Sequence, residues 1–135
     1  MAQKISTYLM FAGEAEEAVN FYVENLDEAS VNSIDRWSDD EPGPTGKVKT
    51  AYFTLCGQTF MAIDSPSVHE FSFTPSISLF VDCENEAQID TLAAKFLEGG
   101  KSLMPLDNYG FSKKFAWLED RYGVSWQFNL PSDAA

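Results

Sequence analysis

The sequence predicts an α+β protein of two βαβββ modules whose strands form a curled mixed sheet, and three observations predict it. An apolar strand-like run followed by an amphipathic helix occurs twice, first at Ile5 to Phe11 with Glu14 to Leu26, then at Ser76 to Cys83 with Asn85 to Glu98. Three further strand-like runs bounded by turn residues follow each helix. The 135 residues, 44% hydrophobic and 14% aromatic, suffice for one compact domain with a real core but not for two ordinary independent ones. The expected layout is a single domain over 1–135, with module one at about 4–64, a linker at 65–75 and module two at about 76–130. Duplicated modules of this kind can close around a shared cleft, so function becomes a question of what lines it.

In the first helix Ala15, Ala18, Val19, Tyr22 and Leu26 follow helical spacing, and Glu14, Glu16 and Glu17 put negative charge at the positive end of the helix dipole. In the second, Ile89, Leu92, Ala93, Phe96 and Leu97 form the buried stripe. Asn85 caps it with Gln88 reaching back, and Gly99-Gly100 stops it. The strands of module one are expected at Ala29 to Trp37, Lys47 to Leu55 and Gln58 to Asp64, the last two joined by a tight Cys56-Gly57 hairpin. Those of module two are expected at Lys101 to Leu106, Lys113 to Glu119 and Ser125 to Leu130, with the turn Asp120 to Gly123 before the last. Ser38 to Gly46, rich in proline, glycine and acid, reads as an exposed mobile connection, with a flap as the alternative.

A formal charge of -12 repels phosphate backbones and anionic lipid, which disfavours nucleic-acid binding, and Lys113-Lys114 is too short a basic run to offset it. No stretch has the length of a membrane span, and the N-terminal Met1-Ala2-Gln3-Lys4 runs into a strand without a leader-like apolar core. Cys56 and Cys83 are not closely paired, which predicts two free, buried thiols and a cytoplasmic location. Neither has a base or basic cluster nearby to activate it as a nucleophile. His69 with Glu70 offers an acid–base pair in principle, but a lone linker histidine is more often simply exposed. Glu119-Asp120 reads as turn chemistry, because adjacent strand residues point to opposite faces.

Four ordered blocks carry a family likeness: Ala15-Glu16-Glu17-Ala18-Val19-Asn20-Phe21-Tyr22, Gly57-Gln58-Thr59-Phe60-Met61-Ala62, Phe73-Thr74-Pro75-Ser76-Ile77-Ser78 and Asp120-Arg121-Tyr122-Gly123-Val124-Ser125-Trp126-Gln127. They resemble the PhnB-like branch of the vicinal oxygen chelate superfamily, with glyoxalase I, extradiol dioxygenases and bleomycin-resistance proteins as relatives. The resemblance implies paired βαβββ modules, a homodimer and, in metal-dependent relatives, a divalent ion held by four inward side chains. Laid onto this chain, those positions are Thr7, Ala62, Ser76 and Gln127. Two hydroxyls, a methyl group and an amide are poor donors for a divalent metal, so no metal and no other cofactor is expected. A one-residue slip would bring in Asp64 but turn its neighbours to the opposite face. Members of this branch are often labelled demethylubiquinone methyltransferases; no strand here leads through a glycine-rich turn into a helix to cradle a nucleotide-like cofactor, so methyl transfer is not expected.

Strand alternation then selects binding candidates. Ser125, Gln127 and Asn129 alternate with Trp126, Phe128 and Leu130, so the helix should cover the aromatic side and the polar side should line the cavity. Gln127 is the first ligand contact, with an amide satisfying a neighbouring strand as the equal alternative. Ser76, Ser78 and Phe80 share one face of the fifth strand; Ile5, Thr7, Leu9 and Phe11 share one face of the first. Trp117, on a face with Phe115 and Glu119, supplies an aromatic wall, whereas Trp37 reads as core or interface. The resulting expectation is a metal-free, dimeric binder of an unknown small organic molecule, or a cryptic enzyme. A metal-dependent lyase, isomerase or dioxygenase-type enzyme and a non-catalytic dimeric interaction domain are the alternatives.

Overall fold

The computed structural model describes residues 2–133. It contains β1 (Thr7–Phe11), α1 (Ala15–Asn25), β2 (Ser30–Arg36), β3 (Val48–Leu55), β4 (Gln58–Asp64), β5 (Leu79–Asp82), α2 (Glu86–Leu97), β6 (Lys101–Asp107), β7 (Lys114–Glu119) and β8 (Ser125–Leu130). The chain divides into two compact units, one ending at Glu70 and the other beginning at Phe71. Among the described residues no helix is long and apolar enough to cross a membrane.

In the first unit the sheet runs β1-β4-β3-β2, with β1 parallel to β4 and the other pairs antiparallel. The second unit repeats this plan as β5-β8-β7-β6, with β5 parallel to β8. Both sheets are mixed and open. A hairpin of two residues suffices between β3 and β4 because Cys56 and Gly57 both take positive φ, 50° and 79°, which matches the right-handed strand twist. Cys56 therefore sits exposed at the hairpin tip, and only Cys83 is buried, correcting the expectation of two buried thiols; neither forms a disulfide.

Packing follows residue chemistry. Ala15, Ala18, Val19 and Tyr22 form the buried stripe of α1, and Leu9, Phe11, Ala51, Phe53, Phe60 and Ala62 the buried side of its sheet. In the second unit Phe96 of α2 meets Trp126 and Phe128 edge-on, with ring centroids 4.9 and 5.1 Å away. Asn85 Oδ1 accepts the Gln88 backbone N–H, while Gln88 Oε1 accepts the N–H of Glu84, so the side chain reaches one residue further back than expected.

The segment after β2 is fastened rather than free. Gly43 lies against the Trp37 ring so closely that a Cβ there would fall 2.0 Å from it, and Lys49 Nζ stands over the ring, 5.7 Å from its centroid. Glu41 pairs with Lys49 and accepts the Ser38 N–H, closing the loop onto the strand. A glycine at 43 is what allows backbone to approach an indole this closely.

Candidate functional site

The two faces of the second sheet differ in kind. Trp126, Phe128 and Leu130 are buried, while Gln127 and Asn129 on the opposite face are partly exposed. The register sets Gln127 between Phe80 on β5 and Trp117 on β7, so these three share that open face. Trp117 Nε1–H donates to Ser125 Oγ at 2.9 Å, Ser125 Oγ lies 2.7 Å from Ser78 Oγ, and Gln127 Nε2–H donates to Ser78 Oγ at 3.2 Å. Whichever serine donates to the other, one hydroxyl proton is left over, and the Gln127 Oε1 has no hydrogen-bond partner among the described residues. Where Ser125 donates, the spare proton sits on the half-buried Ser78 hydroxyl, and the cluster then presents one donor and one acceptor beside an indole.

Three candidates from the sequence, Gln127, Ser78 and Trp117, come together in this way. Ser125, buried at the hub, was not among them, although it sits two residues from Gln127 on the same face. Ser76 does not join them. It lies in a turn before β5, exposed and 2.8 Å from Thr74 Oγ1, because Pro75 delays the strand to Leu79. Thr7 opens β1 in register with Phe60, on the face it shares with the buried Leu9 and Phe11. The open face of β1 carries Tyr8 and Met10 instead. Ala62 is likewise fully buried.

The donor set at the superfamily positions therefore does not suit a divalent metal: two of its members face a buried apolar side and a third is a turn hydroxyl. Among the described residues no group of three or more histidine, cysteine or carboxylate side chains could hold a metal ion. Asp64 is committed elsewhere. Its Oδ1 accepts the N–H groups of Gly13 and Ala15 at 2.7 and 3.0 Å, its Oδ2 that of Val48 at 3.0 Å, and its carbonyl the Trp37 indole N–H at 3.0 Å.

A cavity of about 410 Å³ opens beside the start of α1, bordered by Glu14, Glu16, Glu17, Asn20, Lys47 and Asp64. No aromatic side chain lines it, and Arg36 already holds both oxygens of Glu16 at 2.8 Å, which lowers that carboxyl's pKa. It is a charged, solvated recess with little to hold an organic ligand.

Asp120 and the two neighbouring lysines have structural employment. Asp120 Oδ1 accepts the N–H of Tyr122 and Val124, and its Oδ2 accepts the Trp126 indole N–H at 2.8 Å, so it builds the turn before β8. Lys113 and Lys114 pair with Glu86 and Asp90 of α2. Partial desolvation of its sulfur against the hairpin backbone, then the Asp27 carboxylate, pushes the thiol of the otherwise exposed Cys56 up, away from the thiolate needed for attack.

Residues 3–129 match the model of the family described as 3-demethylubiquinone-9 3-methyltransferase. A Bacillus cereus structure described as a 3-demethylubiquinone-9 3-methyltransferase, PhnB protein, is 55% identical, with a TM-score of 0.92 over 95% of this chain and 99% of that one. A Pseudomonas aeruginosa protein is similar at 25% identity and a TM-score of 0.82, over 96% of this chain and 98% of that one. The fosfomycin resistance protein FosX from Listeria monocytogenes, solved with manganese and a dihydroxypropylphosphonic acid, shares the fold at 11% identity and a TM-score of 0.63, over 96% of this chain and 93% of that one. No curated protein matches the chain.

Proposed function

We propose that this chain, which belongs to the 3-demethylubiquinone-9 3-methyltransferase (PhnB-like) family and has the glyoxalase/bleomycin-resistance fold, binds a small organic molecule on the open face of its second sheet. The single observation that carries this reading is the Trp117–Ser125–Ser78–Gln127 chain, which leaves one hydroxyl proton and one amide oxygen directed at no other described residue. A few fixed polar groups beside apolar surface are what orient a modest ligand. The reading is metal-free, since the residues at the superfamily positions lack the donors a divalent ion requires. Methyl transfer is no part of it. The chain leaves β1 through Ala12-Gly13-Glu14 and β5 through Cys83-Glu84-Asn85, and neither connection is the glycine-rich turn that cradles a nucleotide-like cofactor.

Two cysteines outside any disulfide fit a reducing compartment, and the cytoplasm is the location this reading assumes. The reading also takes the protein to act as a homodimer, supported by the exposed Tyr8 and Tyr52 on the open face of the first sheet.

The test is a ligand-detected screen of small organic molecules followed by Gln127→Leu. The variant should melt close to the parent and bind the screen's hits at least about tenfold more weakly, the loss of one buried polar contact. Unchanged affinity would show that the molecule binds elsewhere.

A further inference from the structure

Beside the polar cluster lies an aromatic one. Phe115 is 4% exposed, and the rings of Phe111, Tyr109 and Phe80 surround it at centroid distances of 5.0, 6.3 and 6.4 Å. Those three remain 62%, 39% and 55% exposed. One ring is spent as a floor while three present faces and edges to solvent, on the same side of the sheet as Gln127.

The strand row through Phe115 adds charge. It reads Asp107, Phe115, Asn129, Asp82 from β6 across to β5. Three strand spacings separate its two carboxylates, roughly 14 Å. Asp82 Oδ1 accepts from Asn129 and Asp107 Oδ1 from the Asn108 N–H, which leaves an oxygen on each. Neither is paired with a cation among the described residues, and the neighbouring Lys113 and Lys114 are engaged by Glu86 and Asp90.

We infer that the ligand class of this face is an organic cation with a flat apolar body, held by the Phe80–Tyr109–Phe111 rings and by Asp82 and Asp107. This rests on the small-molecule reading above and narrows it. Aromatic faces attract cations through their quadrupole, and the two carboxylates and the -12 net charge act in the same direction. An anionic ligand of the same shape would meet both as repulsion.

Three probes of matched shape decide it: 2-naphthylmethylamine (cationic), 2-naphthalenemethanol (neutral) and 2-naphthoate (anionic), titrated into the full chain and followed by NMR shifts of the Phe80 and Phe111 amides. At low salt the amine should bind about tenfold tighter than the alcohol, and naphthoate weakest of the three. That preference should shrink as salt rises above about 0.1 M. Asp82→Asn with Asp107→Asn should bring the amine down to the alcohol, and Phe111→Ser should weaken all three. Equal binding of amine and alcohol would overturn the charge assignment while leaving the small-molecule reading intact. If no naphthyl probe binds but a screen hit depends on Gln127, the aromatic cluster is not the site and the earlier reading stands. Shifts at Phe80 and Phe111 that depend only on protein concentration would make a second copy the occupant and overturn the inference.

Discussion

Asp64 shows how far one side chain can be misread without its partners. In the sequence it is an acid at the end of a strand, which a one-residue slip would bring to a metal position without rebuilding the site. In the fold it is 1% exposed and ties the start of α1, the start of β3 and the Trp37 indole together. Its partners are as far as 51 residues away, beyond any local pattern. Asp64→Ala would leave three backbone N–H groups short of an acceptor, and we expect a loss of about 3 kcal/mol or more in urea denaturation. Glu41 gives a second residue-scale test. Its pairing with Lys49, then its bonds to Ser38, hold its pKa at about 2, below the ordinary carboxylate value. A depressed carboxylate stabilises the fold above its unfolded pKa and loses that contribution as pH falls through the folded one. Trp37, packed against this loop, should therefore report loop release in its fluorescence with a midpoint near pH 2, and Glu41→Gln should abolish that step. A transition centred near the ordinary carboxylate pKa would show that the Glu41–Lys49 pair does not form in solution.

At the scale of elements, legibility depended on how unequal the two faces of each segment are. β8 alternates Trp126, Phe128 and Leu130 with Ser125, Gln127 and Asn129, so its facing could be read directly, and α2 announced its cap at Asn85. β1 could not be read this way. Thr7, Leu9 and Phe11 alternate with Tyr8 and Met10, apolar on both sides, and only the fold shows that the Leu9–Phe11 side is buried. Ser76 failed for a different reason, since parity has no meaning before the strand begins at Leu79. The Tyr109–Phe111–Phe115 cluster was missed because a bend across Asn108 to Lys113 brings the rings together out of any period. The facing of β8 is checked by Phe128→Ala, which removes a fully buried ring packed on Phe96 and should cost roughly 3 to 5 kcal/mol. Gln127→Leu should cost less than about 1 kcal/mol, within the range of surface changes. The reverse ranking would mean that the sheet presents its other side.

For the whole molecule, the duplication was the most legible property, and the identical strand orders of the two units bear it out. What covers the open faces was not legible, because it depends on surfaces that only exist once the sheets form. On the first sheet Tyr8, Met61 and Tyr52 share one row, and both tyrosines are more than a third exposed. Among the described residues no strand pairs with the outer edges of β1 and β2, which leaves their backbone groups open there. A row of this kind is costly to leave in water, and a symmetric dimer would bury it against its own copy. Sedimentation equilibrium at micromolar concentration should therefore give twice the 15.1 kDa chain mass. Tyr8→Ser with Tyr52→Ser should shift the chain toward monomer while the far-ultraviolet circular dichroism stays unchanged, since neither ring is part of the buried core. A parent chain that sediments as a monomer at tens of micromolar would remove the dimer, and a double variant that stays dimeric would move the interface off this face.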